Sequence, residues 1–263
     1  MDYQQELYRQ LERDYSLTPG TMPLRENLFV RKNFTEGRRI YSNDRCLLQV
    51  LAIDGCAVFA CADDGLLDWC REQFEKTNGA WMCEVGKLFA LNDKLKTLGH
   101  FVADAHSYYI PEENTFTDGD AASDAAMLPE GVTAVWHERD EMLQFFGDKR
   151  FSNAVTGSDL VRDMLCVAAM KDGEAVGLAG VSADSPTAWQ IGIDVLPAWR
   201  HLGIGTALTR MLAREVAARG YLPFYGTGES HIGSRRVAHG AGFRPAWWEL
   251  YTKKLPTEKE RQQ

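Results

Sequence analysis

The stretch Trp189–Gly220, WQIGIDVLPAWRHLGIGTALTRMLAREVAARG, decides the fold. Gln190 to Val195 alternate and place β-branched residues at Ile191, Ile193 and Val195, which predicts a strand. Pro197 ends that strand, because proline has no N–H to give a sheet ladder. Arg200-His201-Leu202-Gly203-Ile204-Gly205 then turns the chain. Ala207, Leu208, Met211, Leu212 and Val216 fall on one face of a following helix, and Gly220 is placed to stop it. A strand feeding a glycine-rich turn at a helix N-terminus presents unpaired N–H groups and the positive end of the helix dipole. That is an anion site, and phosphate is the usual anion.

Two phosphate-binding patterns are excluded by residue type. A Walker loop needs a lysine directly after its last glycine, and neither Gly203 nor Gly205 is followed by one. A dinucleotide fingerprint needs three glycines directly after a strand, whereas here GIGTAL follows the eight-residue loop VLPAWRHL and lacks the third. The pattern that fits is V-x-P-x-x-R-x-x-G-x-G-x-x-L, set by Val195, Pro197, Arg200, Gly203, Gly205 and Leu208. It resembles motif A of the GNAT superfamily of acyl-CoA N-acetyltransferases, whose signature is Arg or Gln, two residues, Gly, one residue, then Gly or Ala.

Two flanking segments extend the resemblance. Leu222-Pro223-Phe224-Tyr225 reads as the next strand, and a short helix follows that Ser230 could cap and Gly242 could end in the left-handed conformation. The segment from Ser230 to Phe243 is similar to the late GNAT motif N-x-x-S-x-x-x-A/Y-x-x-x-G-F. Upstream, Cys166 to Ala169 and Ala175 to Gly180 flank Lys171-Asp172-Gly173-Glu174, and Asp-Gly is a strong hairpin signal. The hairpin is similar to the central GNAT strands, so the resemblance spans Val132 to Leu255. A looser similarity, through WQIGIDV and the Pro223-Phe224-Tyr225 strand, is to the zwittermicin-resistance type, which also carries an N-terminal extension.

The resemblance implies an α/β chain: a C-terminal GNAT fold, with a mixed twisted sheet flanked by helices, and an N-terminal α/β extension. It implies acetyl-CoA as co-substrate. The backbone N–H groups of His201, Leu202, Gly203, Ile204, Gly205 and Thr206 are expected to take the pyrophosphate, with Gly203 and Gly205 admitting close approach. Ile193, Asp194 and Val195 inherit the strand whose free backbone groups bind pantetheine. Arg200 either brings charge to the phosphates or holds the loop. His231, where the family has Asn, and Ser234 complete the cofactor set. The tyrosine that many members use as thiol acid is Ala238 here, and Gln190 stands where some relatives place a glutamate base. Glu229 and Asp194 are the candidates for the catalytic base, with Tyr225 and His231 as further relay groups. The expected activity is acetyl transfer to a primary amine of a small molecule. A protein or peptide amine is the alternative acceptor, and a non-catalytic CoA-binding sensor is the alternative from another class.

Composition sets the remaining bounds. At 263 residues the chain has room for one large or two modest domains. The organisation read from pattern is an extension over 1–117, a linker over 118–129, the GNAT domain over 130–255 and a charged tail over 256–263. The extension has its own apolar pattern: a hairpin through Asp54-Gly55, helices over Leu66–Lys76 and Val85–Leu98, and a strand over Phe101–Ile110. A formal charge of −8 argues against a nucleic-acid partner. No apolar run is long enough to span a bilayer, and the polar first fifteen residues carry no signal-peptide core, so no membrane partner and a cytoplasmic location are expected. The six cysteines form no CxxC pair and read as reduced residues rather than a metal site, so no metal is expected. Pattern leaves a homodimer open beside a monomer.

Overall fold

The computed structural model describes residues 1–40, 46–116 and 121–256. In chain order the first elements are α1 (Tyr3–Asp14), β1 (Leu28–Arg31), β2 (Leu48–Ile53), β3 (Cys56–Cys61), α2 (Asp64–Phe74), α3 (Val85–Lys96), β4 (His100–Pro111) and α4 (Ala121–Ala125). Then come β5 (Thr133–Glu138), β6 (Asp163–Lys171), β7 (Glu174–Ser182), β8 (Ala188–Val195), α5 (Ile204–Ala218), β9 (Leu222–Gly228), α6 (Ile232–Gly240) and β10 (Phe243–Lys254). The chain divides into two compact units: Met1–Leu7 with Tyr108–Pro245, and Tyr8–Ser107 with the chain from Ala246 onward.

Two tight turns follow the sequence closely. Asp54 and Gly55 have φ of 51° and 79°, and Asp172 and Gly173 have φ of 51° and 84°. Positive φ at both central residues is the backbone that joins twisted antiparallel strands without splaying them. These turns connect β2 to β3 and β6 to β7.

In the unit built on residues 8–107, β1 pairs parallel with β3, β3 antiparallel with β2, and β2 antiparallel with β10 from Trp248↔Ala52 to Tyr251↔Gln49. Leu48, Val50, Phe59, Leu66, Cys70, Phe74, Leu91, Leu95 and Leu250 form its core. Asp63 caps α2 by accepting from the Leu66 N–H at 2.7 Å. The Asn27 side chain donates to the Phe74 and Thr77 carbonyls and accepts from the Ala57 N–H at 2.8 Å, so one amide ties the end of α2 to the start of β3. Arg39 is fully buried; it pairs with Asp14 at 2.5 Å and with Glu249, and lies over the Trp247 ring. A buried guanidinium with two carboxylates and a ring face is satisfied on every side, as burial of charge requires.

In the unit built on residues 108–245, β5, β6, β7 and β8 form an antiparallel run, and β9 adds parallel to β8. Period-two alternation separates two cores. Val167, Ala179, Ile191 and Tyr225 pack with Leu208, Leu212 and Val216 of α5. Cys166, Ala168 and Leu178 pack on the other face with Met142, Phe145, Phe151, Ala154 and Val155 from the segment between β5 and β6. Within the expected linker 118–129, residues 118–120 lie outside the described ones, and α4 follows. Asp124 is buried there and accepts from Arg210 and Arg214 of α5, each at 2.7 Å. Burial opposes the Asp124 carboxylate, but the hydrogen bonds from Arg214 and Arg210 outweigh it and hold its pKa below the usual carboxylate value. The expected tail from 257 to 263 also lies outside the described residues.

β1, α4 and β5 are not among the expected elements, and neither are α1 and β10, whose patterns are weak. α1 carries Tyr3, Leu7 and Leu11 every fourth residue, a stripe one side chain wide amid polar neighbours. β10 contains Pro245, which argues against a strand when read locally. The helix expected after Ser230 begins instead with His231 at its N-cap, and no side chain caps it. Gly242 does take the left-handed conformation after it, at φ 88°. Four of the six cysteines are buried, Cys83 is exposed, and all are free thiols.

Candidate active site

The site lies where a strand pair stops pairing. β8 and β9 run in parallel register through Ala188↔Leu222, Trp189↔Pro223, Gln190↔Phe224 and Ile191↔Tyr225, and there the register ends. β8 nonetheless continues to Val195 and β9 to Gly228. On its other edge β8 remains paired with β7 out to Gly177↔Val195. Gly192 to Val195 are therefore held straight by β7 while their opposite edge faces a gap. Unpaired backbone groups in such a gap must find water or a ligand.

Helix α5 begins over this gap. Gly203 is its N-cap at φ 82°, with no side-chain cap, and His201 also has positive φ at 65°. The first turn's N–H groups at Ile204, Gly205 and Thr206 have no carbonyl one turn earlier to bond, so they point outward with the positive helix end. Close packing brings the helix start down to the sheet. A Cβ on Gly177 would stand 2.9 Å from Ile204, and one on Gly205 would stand 3.3 Å from Val237, 3.5 Å from Val195 and 3.7 Å from Ile193. Gly205 thus packs the helix start closely against Val237, Val195 and Ile193. A Cβ on Gly203 would meet only the Met127 carbonyl oxygen, at 3.7 Å, so its positive φ is what calls for glycine.

Together these elements enclose a cleft of about 510 Å³. Of the residues expected from sequence, Ile193, Asp194, Val195, Arg200, His201, Gly203, Ile204, Gly205, Thr206, His231 and Ser234 line it. Leu202 does not; its side chain is half exposed. Glu229 does not line it either, and its backbone carbonyl accepts from Arg235 at 3.2 Å. Arg200 donates from Nε to the Val195 carbonyl at 3.0 Å, so it braces the loop after β8 at the cleft wall. Asn153, Trp199, Tyr225, Gly233, Arg236 and Val237 line the cleft as well. Gly233, Arg236 and Val237 follow helical spacing from the α6 N-terminus, a signal present in the sequence. Nothing local marks Asn153, which lies about forty residues from the motif.

Asp194 is engaged in a defined way. Its carboxylate accepts from the Asn153 N–H at 2.8 Å, the Asn153 Nδ2 at 2.6 Å and the Ala154 N–H at 3.0 Å. Three donors on two oxygens make it a clamp on segment 153–154. Two glycines make room for that segment. Gly180 and Gly192 are register partners, and a Cβ on them would stand 1.9 Å from the Ala154 carbonyl oxygen and 1.8 Å from the Asn153 carbonyl oxygen.

Tyr225 is buried at the last registered pair, and its hydroxyl lies 2.7 Å from Ser234 Oγ. Burial pushes its pKa up to about 12, with the Ser234 hydrogen bond pulling the other way and the Asp194 and Tyr109 charges adding to the rise. Ala238 is completely buried in the α5–α6 core, which leaves no room for the tyrosine that many relatives place there. Among the described residues Asp194 is the only carboxylate lining the cleft, against Arg200 and Arg236. That balance suits an anion. Among the described residues no His, Cys, Asp and Glu cluster could hold a metal ion.

A sheet opened beside a helix N-terminus, with arginines at its rim, makes a cleft on an α/β scaffold whose electrostatics suit an anion. Residues 132–243 match the model of the acetyltransferase (GNAT) family, and the chain carries a GNAT acetyltransferase domain with a mixed α/β fold. It is an acetyl-CoA-dependent acyltransferase. The match is to the general family. Among solved structures, a GCN5-related N-acetyltransferase-like protein from Streptococcus suis shares 16% identity at a TM-score of 0.51, over 94% of this chain and 98% of that one. A GCN5-related N-acetyltransferase from Kribbella flavida shares 17% identity at a TM-score of 0.47, over 64% and 65%. No curated protein matches the chain. Among the described residues no helix is long and apolar enough to cross a membrane.

Proposed function

We propose that the chain moves the acetyl group of acetyl-CoA to a primary amine of a small molecule. The observation that carries this reading is the end of β8–β9 pairing at Ile191↔Tyr225 beneath the α5 N-terminus. In this reading the outward N–H groups from His201 to Thr206 take the pyrophosphate, with Arg236 adding charge. The open edge of Ile193, Asp194 and Val195 takes the pantetheine amides, and His231 and Ser234 border the same ligand. The residues present fit that co-substrate: the first-turn N–H groups of α5 have no carbonyl one turn earlier to bond, Gly203 carries no side chain, and Arg200 and Arg236 line the rim. The thioester carbonyl then sits in the gap, and holding it beside a bound amine supplies proximity.

The test is thiol release from acetyl-CoA with a panel of small amines and peptides. Turnover with a small amine and none with peptides is the expected result. Turnover only with peptides would replace the acceptor class. Clean CoA binding with no turnover across the whole panel would overturn the enzymatic reading in favour of a CoA sensor.

A further inference from the structure

We propose that Lys32 and Cys46 form an oxidative cross-link, in which one oxygen atom joins the lysine nitrogen to the cysteine sulfur. Lys32 Nζ lies 2.9 Å from Cys46 Sγ and 3.2 Å from the Cys46 carbonyl oxygen. Both contacts go to one residue, so the nitrogen is held over the sulfur. The approach is close for a sulfur acceptor: the Asp63 N–H nitrogen stands 3.4 Å from Cys61 Sγ. The backbone is anchored at both ends. The Lys32 N–H donates to the Cys61 carbonyl at 2.8 Å, extending the β1–β3 ladder past Arg31. The Ala62 N–H donates to the Leu47 carbonyl at 2.9 Å, extending the β2–β3 ladder ahead of Leu48. Asn33 is pinned to Ser16, whose Oγ accepts from the Asn33 N–H at 3.1 Å and donates to the Asn33 carbonyl at 3.0 Å. β1 and β2 flank β3, so the lysine side chain spans the end of β3 to reach the sulfur. Two reactive groups fourteen positions apart in the chain are thereby fixed within reach of a single bridging atom.

Burial selects the reagent. Cys46 is 4% exposed and Lys32 is half-buried, so a small oxidant reaches the pair and a bulky electrophile does not. Other buried cysteines are poorer targets. Burial pushes the Cys61 thiol up to about 11 and those of Cys70 and Cys166 up to about 12, and the thiolate is the reactive form. Cys46 instead has a cation against its sulfur. Hydrogen peroxide supplies the oxidation, two equivalents per bridge. The Cys46 sulfur attacks one peroxide oxygen, the O–O bond breaks and an S–O bond forms. The departing hydroxide takes up the proton the thiol gave and leaves as water, and Cys46 is a sulfenic acid. Lys32, once its ammonium has given one proton to solvent, attacks the second peroxide in the same way, becomes a hydroxylamine and releases water. The hydroxylamine oxygen then attacks the sulfenic sulfur. The S–OH bond breaks, and its hydroxide leaves as water with the hydroxylamine O–H proton. Sulfur and nitrogen have each lost two electrons, and the two peroxides have become three waters and the bridging oxygen. Two equivalents of a dithiol return the four electrons and restore the thiol and the amine, with one water.

The test treats the full chain with hydrogen peroxide and reads its intact mass and the masses of its peptides after proteolysis. Most wild-type chains should gain one oxygen and lose two hydrogens. That change should sit on a linked pair of peptides holding Lys32 and Cys46, and dithiothreitol should remove it. The melting temperature should rise with the bridge and return on reduction, because a covalent link closes a loop in the unfolded chain. Lys32→Arg keeps the charge but offers no amine, and Cys46→Ser offers no sulfur. Each is checked for a wild-type melting temperature before oxidation, and each should lose the linked peptides completely. In Lys32→Arg, Cys46 should instead gain whole oxygens. Whole-oxygen gains on wild-type Cys46, with no loss of hydrogen, would overturn the proposal. So would a Cys46 left unchanged by peroxide, or a loss of two hydrogens without oxygen, which would mean a disulfide.

Discussion

Strands β6 and β7 stay paired from Asp163↔Ser182 to Lys171↔Glu174, through register shifts between Asp163 and Leu165 and between Ala169 and Met170, and are closed by the Asp172–Gly173 turn, whereas β8 and β9 part after Ile191↔Tyr225. The two pairs share one sheet and one apolar core. The closed pair remains bonded on both sides of its two register shifts, up to the turn. The open pair leaves backbone groups unpaired at a cleft, a cost tolerable only because β7 holds the other edge of β8. Function on this sheet therefore sits where the ladder is left incomplete, and the surroundings of the open pair exist to keep it so.

The largest expected effect comes from the glycine partners on which segment 153–154 lies. Gly192→Ala sets a Cβ against a backbone carbonyl that cannot swing away, so a loss of about 3 kcal/mol in unfolding free energy is expected, at the upper end for overpacking. Gly173→Ala, in the open space of the closed pair's turn, should cost about 1 kcal/mol through its positive φ alone. Denaturant unfolding of both variants reads the contrast, and equal losses would show that segment 153–154 does not depend on the glycines.

Next, Gly203→Glu adds negative charge at the α5 N-terminus. Acetyl-CoA affinity should fall at least tenfold by calorimetry, about 1.4 kcal/mol. A folded variant with wild-type affinity would remove the phosphate from this helix end. Both glycines resist a side chain, Gly203 through its φ of 82° and Gly205 through its packing, so the melting temperature is measured beside the affinity.

Asp194→Ala strips three donors of their acceptor. A loss of about 1–3 kcal/mol in stability is expected, with acetyl-CoA affinity changed less than the KM of the amine acceptor. Asp194→Asn keeps the size but accepts at one oxygen only, and should lie between. If Asp194→Asn abolished turnover with stability and both substrate affinities intact, Asp194 would be a base after all.

The smallest effect lies away from the open pair. The Asp124 pKa is depressed, so its contribution to stability is present above the unfolded carboxylate value of about 4 and is lost as pH falls through the folded value. Wild type should therefore exceed Asp124→Asn in melting temperature at pH 7, and the two should converge in acid. A gap independent of pH would show that the Arg210–Asp124–Arg214 contact adds nothing through charge.

How much of this was legible in the sequence follows from the range of each signal. Val195 to Leu208 announced strand, turn and helix because every determinant there is local: alternation, a proline, two glycines and a helical stripe. The Asp-Gly hairpins were equally local. Most cofactor-side residues followed from that one motif and line one cleft. Glu229 was nominated by nearness in chain to β9, but its place just past the strand end keeps it off the cleft wall. Asp194 was nominated by position, and its engagement depends on Asn153 and Ala154, which no local pattern connects to it. Gly180 and Gly192 are unremarkable singly; only the β7–β8 register shows that they face one another under a crossing segment. α1 and β10 escaped because a one-residue stripe and an internal proline weaken the period that reveals an element.

The facing glycines also bear on the thermodynamics of ligand capture. A backbone segment seated on two strands and tethered by one carboxylate has already surrendered its conformational freedom before any ligand arrives. The wall at Asn153 then needs no further ordering when a small molecule settles against it, and less of the contact energy is consumed in freezing the receptor. Acceptor discrimination at that wall should accordingly be steric, a fixed contour that admits or rejects, and association there should proceed without a slow closing phase.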